Sequence, residues 1–411
     1  MRHKNRVVVT GMGVLAPNGI GLPTFWDSLV EGRSGVAEIT SFDTSGFRSR
    51  IAGEVKNFEP LDYIDPKFKP RRMARHTQFA FAAMKMALAD AEFDPAKQNI
   101  DHAIPVMLGV STTAMEILEG GWEDLERRGP RGVSAGVIDC QPQAVTQLLA
   151  LALGISARAT TVSSACPSGL DAIASATAMI RNGEADVAIA GGTDATITRL
   201  SMASFATAGL SSTRNSDPAR ASRPFDRERD SGVISEGAGI VVLEEYERAA
   251  ARGAKPYLEI TGYATHGDDY ATGEVFGLGH SMRAAMTNAG KNPEEIDYIC
   301  AHGSGHPALD IVETDMIKRV FGQRAYSIPI SSIKGVTGNP LSAAGPLQVI
   351  TCGMMFRHNI IPQTANYEVP DPRCDLDYVP YRSRKRRVST ALINVRGLGG
   401  GNSSLVVQRV P

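Results

Sequence analysis

The sequence predicts an α/β protein built from two similar halves. Apolar, β-branched runs at residues 7–10, 103–110, 160–162, 187–190 and 240–243 alternate with alanine-rich stretches such as 79–89 and 170–180, the pattern of strands that carry helices on their faces. A second series follows, with strands expected at 258–261, 298–301, 328–331, 390–394 and 404–408 and helices at 282–289, 311–320 and 346–356. The two series open alike, Val8-Val9-Thr10-Gly11-Met12-Gly13 against Glu259-Ile260-Thr261-Gly262-Tyr263-Ala264. A duplicated unit is therefore expected, with halves 1–251 and 252–411 joined near residues 252–256.

The first strand follows a short basic start that superficially resembles a leader peptide, but Thr10-Gly11 ends the apolar segment too early for one. Gly11-Met12-Gly13-Val14-Leu15-Ala16 then matches GxGxxA, with Glu31 about 20 residues on, as a dinucleotide fingerprint requires. Pro17-Asn18-Gly19 would break the helix that must hold the pyrophosphate, so the segment reads as a tight turn and no cofactor is expected. The longest apolar run, 144–155, is too short for a membrane span and is interrupted by Thr146 and Gln147.

The run 160–162 reads as a buried strand that leads through Ser163-Ser164-Ala165-Cys166-Pro167-Ser168-Gly169 into the helix at 170–180. Cys166 then sits at a helix N-terminus, where unpaired backbone N–H groups and the helix dipole favour a thiolate, and Pro167 fits the first turn because it has no N–H to lose. A lone cysteine is ordinarily a small buried hydrophobe. Here two further strand-to-turn segments carry groups suited to acyl chemistry, Ala301-His302-Gly303-Ser304-Gly305-His306 and Ser331-Ser332-Ile333-Lys334-Gly335-Val336-Thr337-Gly338-Asn339. A cysteine with a histidine and an asparagine distant in sequence is a recognised nucleophilic set. In the duplicated register, Ser163-Ser164-Ala165-Cys166 corresponds to Ser331-Ser332-Ile333-Lys334.

Composition narrows the functional class. With 411 residues, 43% hydrophobic and 21% charged, the chain can bury a substantial core, and its net charge of −1 argues against a nucleic-acid binder. The five cysteines form no CxxC pair, which suits a reducing compartment and a cytoplasmic location. His306 lies four residues after His302, but Gly303 and Gly305 oppose a helix that would present both, and no third ligand is evident, so no metal is expected.

These segments, together with Ala190-Gly191-Gly192-Thr193-Asp194, Ser222-Arg223-Pro224-Phe225-Asp226-Arg227, Glu236-Gly237-Ala238-Gly239 and Gly397-Leu398-Gly399-Gly400-Gly401-Asn402, resemble the elongating β-ketoacyl-acyl-carrier-protein synthases nearly end to end. The resemblance implies a thiolase-like fold, two pseudo-symmetric halves in a five-layered αβαβα arrangement, usually a homodimer. It implies decarboxylative Claisen condensation with malonyl-carrier protein in fatty-acid or polyketide-type biosynthesis. Cys166 would be the acylated nucleophile and His302 the histidine that binds the malonyl thioester carbonyl. Lys334 and Glu313 would organise the site, and the backbone N–H groups of Cys166 and Leu398 would form the oxyanion hole. Lys67, Lys69, Arg71 and Arg72 fall where the family docks its acidic carrier protein, although such a charge run is otherwise a solvated face.

Several positions depart from the family pattern. Asn339 stands where the second catalytic histidine is expected, and it can donate through its amide but cannot carry charge. The initiating ketosynthases and the chalcone-synthase-like enzymes resemble this Cys-His-Asn set and still decarboxylate. Leu398 replaces the gating phenylalanine, His306 replaces a threonine and is expected to line the pocket or to support a group that does, and the loop at 265–279 is short. Two alternatives stay open: a non-decarboxylating ketosynthase-like acyltransferase, and a partner subunit resembling a chain-length factor in a ketosynthase heterodimer. The basic run Arg382, Arg384, Lys385, Arg386 and Arg387 reads as an exposed loop before a strand.

Overall fold

The computed structural model describes residues 5–97, 102–269 and 275–410. Its main strands are β1 (Val7–Ala16), β2 (Ile104–Gly109), β3 (Ala157–Val162), β4 (Val187–Asp194), β5 (Gly237–Glu245), β6 (Leu258–Gly267), β7 (Tyr298–Cys300), β8 (Ile330–Ser331), β9 (Thr390–Arg396) and β10 (Gly401–Gln408). Five of the helices matter most for the site: α1 (Arg75–Asp90), α2 (Ser168–Arg181), α3 (Gly277–Asn288), α4 (Leu309–Phe321) and α5 (Ala344–His358).

Strands of the first series lie in the order β3-β2-β4-β5-β1 and those of the second in the order β8-β7-β9-β10-β6. Pairing directions repeat as well. β2 is parallel to β3 and β4, while β5 is antiparallel to β4 and β1. Likewise β7 is parallel to β8 and β9, while β10 is antiparallel to β9 and β6. The two series join where Val7, Val8 and Val9 of β1 run antiparallel to Ile260, Glu259 and Leu258 of β6.

Helices α2 and α5 touch each other and strands of both series, so they form the middle layer. Ala344 to Phe356 of α5 are buried on every side, as a helix clad in other elements all round must be. On the outside, α1 covers β1 and β5, and α3, with α4 beside it, covers β6 and β10.

The glycines at 11 and 13 make no tight turn, because β1 runs unbroken to Ala16. A Cβ on Gly11 would come within 2.2 Å of the Ala87 carbonyl oxygen, and one on Gly13 within 1.9 Å of that of Ala83. The glycines let α1 lie directly on the strand. Thr10 is the extra residue of a bulge against β5. The second series repeats the device: Thr261 is bulged out of the ladder with β10, and a Cβ on Gly262 would meet the Ala285 carbonyl of α3 at 2.2 Å.

Two other expectations are corrected. The strand expected to be buried at 160–162 is β3, which is largely exposed because it is the outermost strand and β2 covers only one of its edges. The basic run at 382–387 is partly ordered into a strand, Arg384–Lys385, which pairs with Ile360–Ile361, and Arg384 is held by an ion pair to Asp377 at 2.5 Å. The run 144–155 contains the helix Gln143–Ala152, and no described helix is long and apolar enough to cross a membrane. Within the short loop at 265–279, residues 270–274 lie outside the described residues.

Candidate active site

The turn from β3 into α2 presents Cys166. Ala165 adopts φ 61°, a left-handed conformation that a non-glycine residue takes only when its surroundings impose it. Those surroundings are visible: Ser168 donates its backbone N–H to the Ala165 carbonyl at 3.0 Å, and its hydroxyl accepts the Ser164 N–H at 2.8 Å. One turn into α2, the Asp171 carboxylate binds the Ser164 hydroxyl and accepts from Tyr263 Oη at 2.9 Å and Ser403 Oγ at 2.7 Å. The kinked turn is thus fastened to β6 and β10.

Cys166 is 5% exposed and opens into a cavity also lined by His302, Ser304, His306, Asn339, Arg396 and Leu398. The glycine-rich loop after β9 reaches the cysteine because position 397 lacks a Cβ, which would lie 2.6 Å from Pro167 Cδ. Backbone N–H groups of Leu398 and of Cys166 itself lower the thiol's pKa. Burial nonetheless pushes the thiol up to about 11, and the Lys334 charge and these two N–H groups offset it only in part. The expectation of a resting thiolate is therefore corrected, because desolvation outweighs the helix N-terminus.

His302 is held from three sides. Its backbone N–H and that of Gly303 each bind the Glu313 carboxylate of α4 at 2.8 Å, and its carbonyl accepts from Lys334 Nζ at 2.6 Å. Its ring Nδ1 accepts the Arg396 backbone N–H at 3.2 Å, so the neutral ring carries its proton on Nε2. Burial and the charges of Lys334 and Arg396 keep His302 well below the usual imidazole range. Lys334 is 1% exposed, and Glu313 is 2% exposed. They act on opposite polar groups of the same histidine backbone.

Asn339 lines the cavity on a strand-like stretch fixed by its N–H to Val233 at 2.7 Å and by Ser235 N–H to its carbonyl at 3.0 Å. Its Oδ1 is buried and has no hydrogen-bond partner among the described residues. His306 also lines the cavity, but its Nδ1 accepts the N–H groups of Ala308 and Leu309 at 3.2 and 3.4 Å, just ahead of α4. That ties one ring nitrogen to the chain. Leu398 is 55% exposed at the cavity wall. Lys67, Lys69, Arg71 and Arg72 are all exposed, on two short 3-10 turns that precede α1, and none of them lines the cavity. Lys67 pairs with Asp65 at 3.3 Å.

Sequence reasoning missed Arg396 and its partner Asp268, whose carboxylate binds Arg396 Nη2 at 2.5 Å. The signal was present, since Arg396 is a lone charge at the end of the apolar run Ala391-Leu392-Ile393-Asn394-Val395. Asp171 and Asp194 were also missed as fasteners. Asp194, at the end of β4, accepts the N–H groups of Thr112 at 3.0 Å and Ser342 at 2.9 Å.

Comparison with known proteins identifies the family. Residues 4–249 match the family described as beta-ketoacyl synthase, N-terminal domain, and residues 257–368 match beta-ketoacyl synthase, C-terminal domain. The chain is 40% identical over 423 residues to the tetracenomycin polyketide synthase ketoacyl synthase alpha subunit of Streptomyces glaucescens, covering 99% of this chain and 98% of that protein. It is 41% identical over 412 residues to 3-oxoacyl-[acyl-carrier-protein] synthase 2 of Synechocystis sp., covering 99% of each. Among solved structures, the ishigamide ketosynthase/chain length factor superposes with a TM-score of 0.91 at 33% identity, covering 99% of this chain and 100% of that one. A type II polyketide ketosynthase bound to the hexaketide, in complex with its acyl-carrier protein, gives 0.88 at 33% identity over the same shares. The fold is thiolase-like, and the chain belongs to the beta-ketoacyl synthase family.

Proposed function

We propose that the chain is a β-ketoacyl-acyl-carrier-protein synthase that condenses an acyl group held on Cys166 with a malonyl-carrier thioester. One observation carries the reading: Cys166, Leu398, His302 and Asn339 meet at a single cavity. In the loading step the Cys166 sulfur attacks the acyl thioester, the bond to the carrier's sulfur breaks, and the thiol proton leaves with the carrier thiol. The N–H groups of Cys166 and Leu398 meet the developing oxyanion.

The malonyl carboxylate then departs as carbon dioxide. The electron pair of the broken C–C bond becomes an enolate, whose oxygen receives hydrogen bonds from His302 Nε2–H and the Asn339 amide. The enolate carbon attacks acyl-Cys166 and expels the sulfur, which recovers a proton. A neutral histidine suits this role because it donates from Nε2 without needing to be charged. Lys334 and Glu313 support it by fixing the backbone of His302.

The acidic carrier protein would dock on Lys67, Lys69, Arg71 and Arg72, in keeping with the acyl-carrier complex of the structural relative. The chain would work in the cytoplasm as a homodimer or as one subunit of a ketosynthase heterodimer. The repeated strand order supports dividing it into halves 1–251 and 252–411. Asn339 sustains a second reading, an acyltransferase that loads but does not decarboxylate. Intact-protein mass analysis with acyl-carrier thioesters, with and without malonyl-carrier protein, separates the two. Loading followed by an extended 3-oxoacyl product supports condensation, loading alone supports the acyltransferase, and no loading removes both.

A further inference from the structure

Among the described residues that line the cavity holding Cys166 and His302, Arg396 is the only arginine or lysine, and none is an aspartate or glutamate. It stands at the end of β9 with 8% of its side chain exposed. Its guanidinium is oriented from behind. Nη2 binds Asp268 Oδ2 at 2.5 Å, and Nη1 reaches Asn402 Oδ1 at 3.5 Å. Asp268 is itself fixed, since its other oxygen accepts the Gly277 N–H at 3.0 Å and Asn402 Nδ2 at 3.1 Å, and its side chain is fully buried. These are the hydrogen bonds of the guanidinium among the described residues. A guanidinium has five N–H donors, so donors remain for a ligand.

An arginine is a poor lining for a purely alkyl chain, because donors left without acceptors in a dry site are costly. It is well matched to a carboxylate, which accepts two parallel N–H bonds. Building on the condensing reading above, we propose that Arg396 is the binding residue for the carboxylate of the malonyl extender unit, and that Asp268 tempers it. The reason for a tempering partner is kinetic. That carboxylate must lose its charge as carbon dioxide departs, so an unpaired cation would stabilise the ground state more than the transition state and slow the step. Asp268 cancels the net charge of the guanidinium while leaving its geometry in place. The carboxylate is oriented without being trapped.

This assignment predicts opposite effects for the two partners on carbon dioxide release from malonyl-carrier protein. Arg396→Met should raise KM about tenfold or more, the loss of one charge-assisted hydrogen bond. Asp268→Asn should instead lower both KM and kcat, because the arginine then holds the carboxylate with its full charge. A purely structural pair would give the same loss in both variants. Should Arg396→Met fail to fold with Asp268 left unpaired, the double variant R396M/D268N removes both charges and should show the same rise in KM. An unchanged KM without Arg396, or a raised KM in Asp268→Asn, overturns the assignment while the parent still releases carbon dioxide. No release by the parent overturns the condensing reading and this assignment with it.

Discussion

Lys334 Nζ donates to the backbone carbonyl of His302 at 2.6 Å, across 32 residues of sequence. The lysine is buried and lies within 3.4 Å of the ring Nδ1 of the same histidine. It therefore does two things at once: it fixes where His302 sits, and its charge discourages protonation of the ring. The same charge draws the Cys166 thiol down against the effect of burial.

Acyl loading should be confined to Cys166 and abolished in Cys166→Ala, since among the described residues it is the only cysteine that lines the cavity. Small alkylating reagents should be less selective, because Cys140 is only partly buried. With the Cys166 thiol near 11, its alkylation rate should rise about tenfold per pH unit between pH 7 and 10 as thiolate forms. Peptide mass mapping reads both. A pH-independent rate at Cys166 would contradict the burial argument.

Asn339→Ala should slow malonyl decarboxylation by about 100-fold to 1000-fold, the usual effect of removing one preorganised donor, with a much smaller effect on loading. Carbon dioxide release and intact mass report the two steps separately. Decarboxylation at the parental rate would remove Asn339 from the mechanism and favour the acyltransferase reading.

Reversing Lys69, Arg71 and Arg72 to glutamate should weaken use of carrier-bound substrates and spare small thioester mimics. These side chains are exposed and outside the cavity, so they act on the carrier rather than on the reacting atoms. The defect should be larger at low salt, where attraction reaches further. Equal losses with both substrate forms would point to another docking face.

His76 supplies a pH test of stability. It is 3% exposed, its Nε2 has no partner among the described residues, and burial pushes it down from 6.5 to about 4. A histidine kept neutral in the fold but protonated when unfolded stabilises fully above pH about 6.5, and that contribution is lost as pH falls toward 4. The loss amounts to about 3 kcal/mol at most. Urea unfolding at pH 7, 5.5 and 4.5 should show a shallower acid decline for His76→Leu than for the parent. Parallel declines would mean that His76 is protonated in the folded state.

The sequence by itself determined the α/β class, the two strand series and the candidate nucleophile. Strand and helix periods are local, and a β-branched run ending in Ser163-Ser164-Ala165-Cys166 before an alanine-rich stretch carries its own signal. His302, Lys334 and Asn339 were legible because each sits in a comparable strand-to-turn segment. Gly11 and Gly13 misled, since a glycine needed for a close helix and a glycine needed for a turn look alike until Ala83 and Ala87 are in place.

Only the tertiary structure decided the charge state and the supporting partners. The helix N-terminus at Cys166 is a local feature, but burial outweighs it, and the cavity around the thiol is lined by residues distant in sequence. The same holds for Arg396, whose pairing with Asp268 spans 128 residues and joins the ends of β9 and β6. A period in the sequence reports which face of an element is buried. It says nothing of which charged group lies opposite, and electrostatic effects depend on that separation in space.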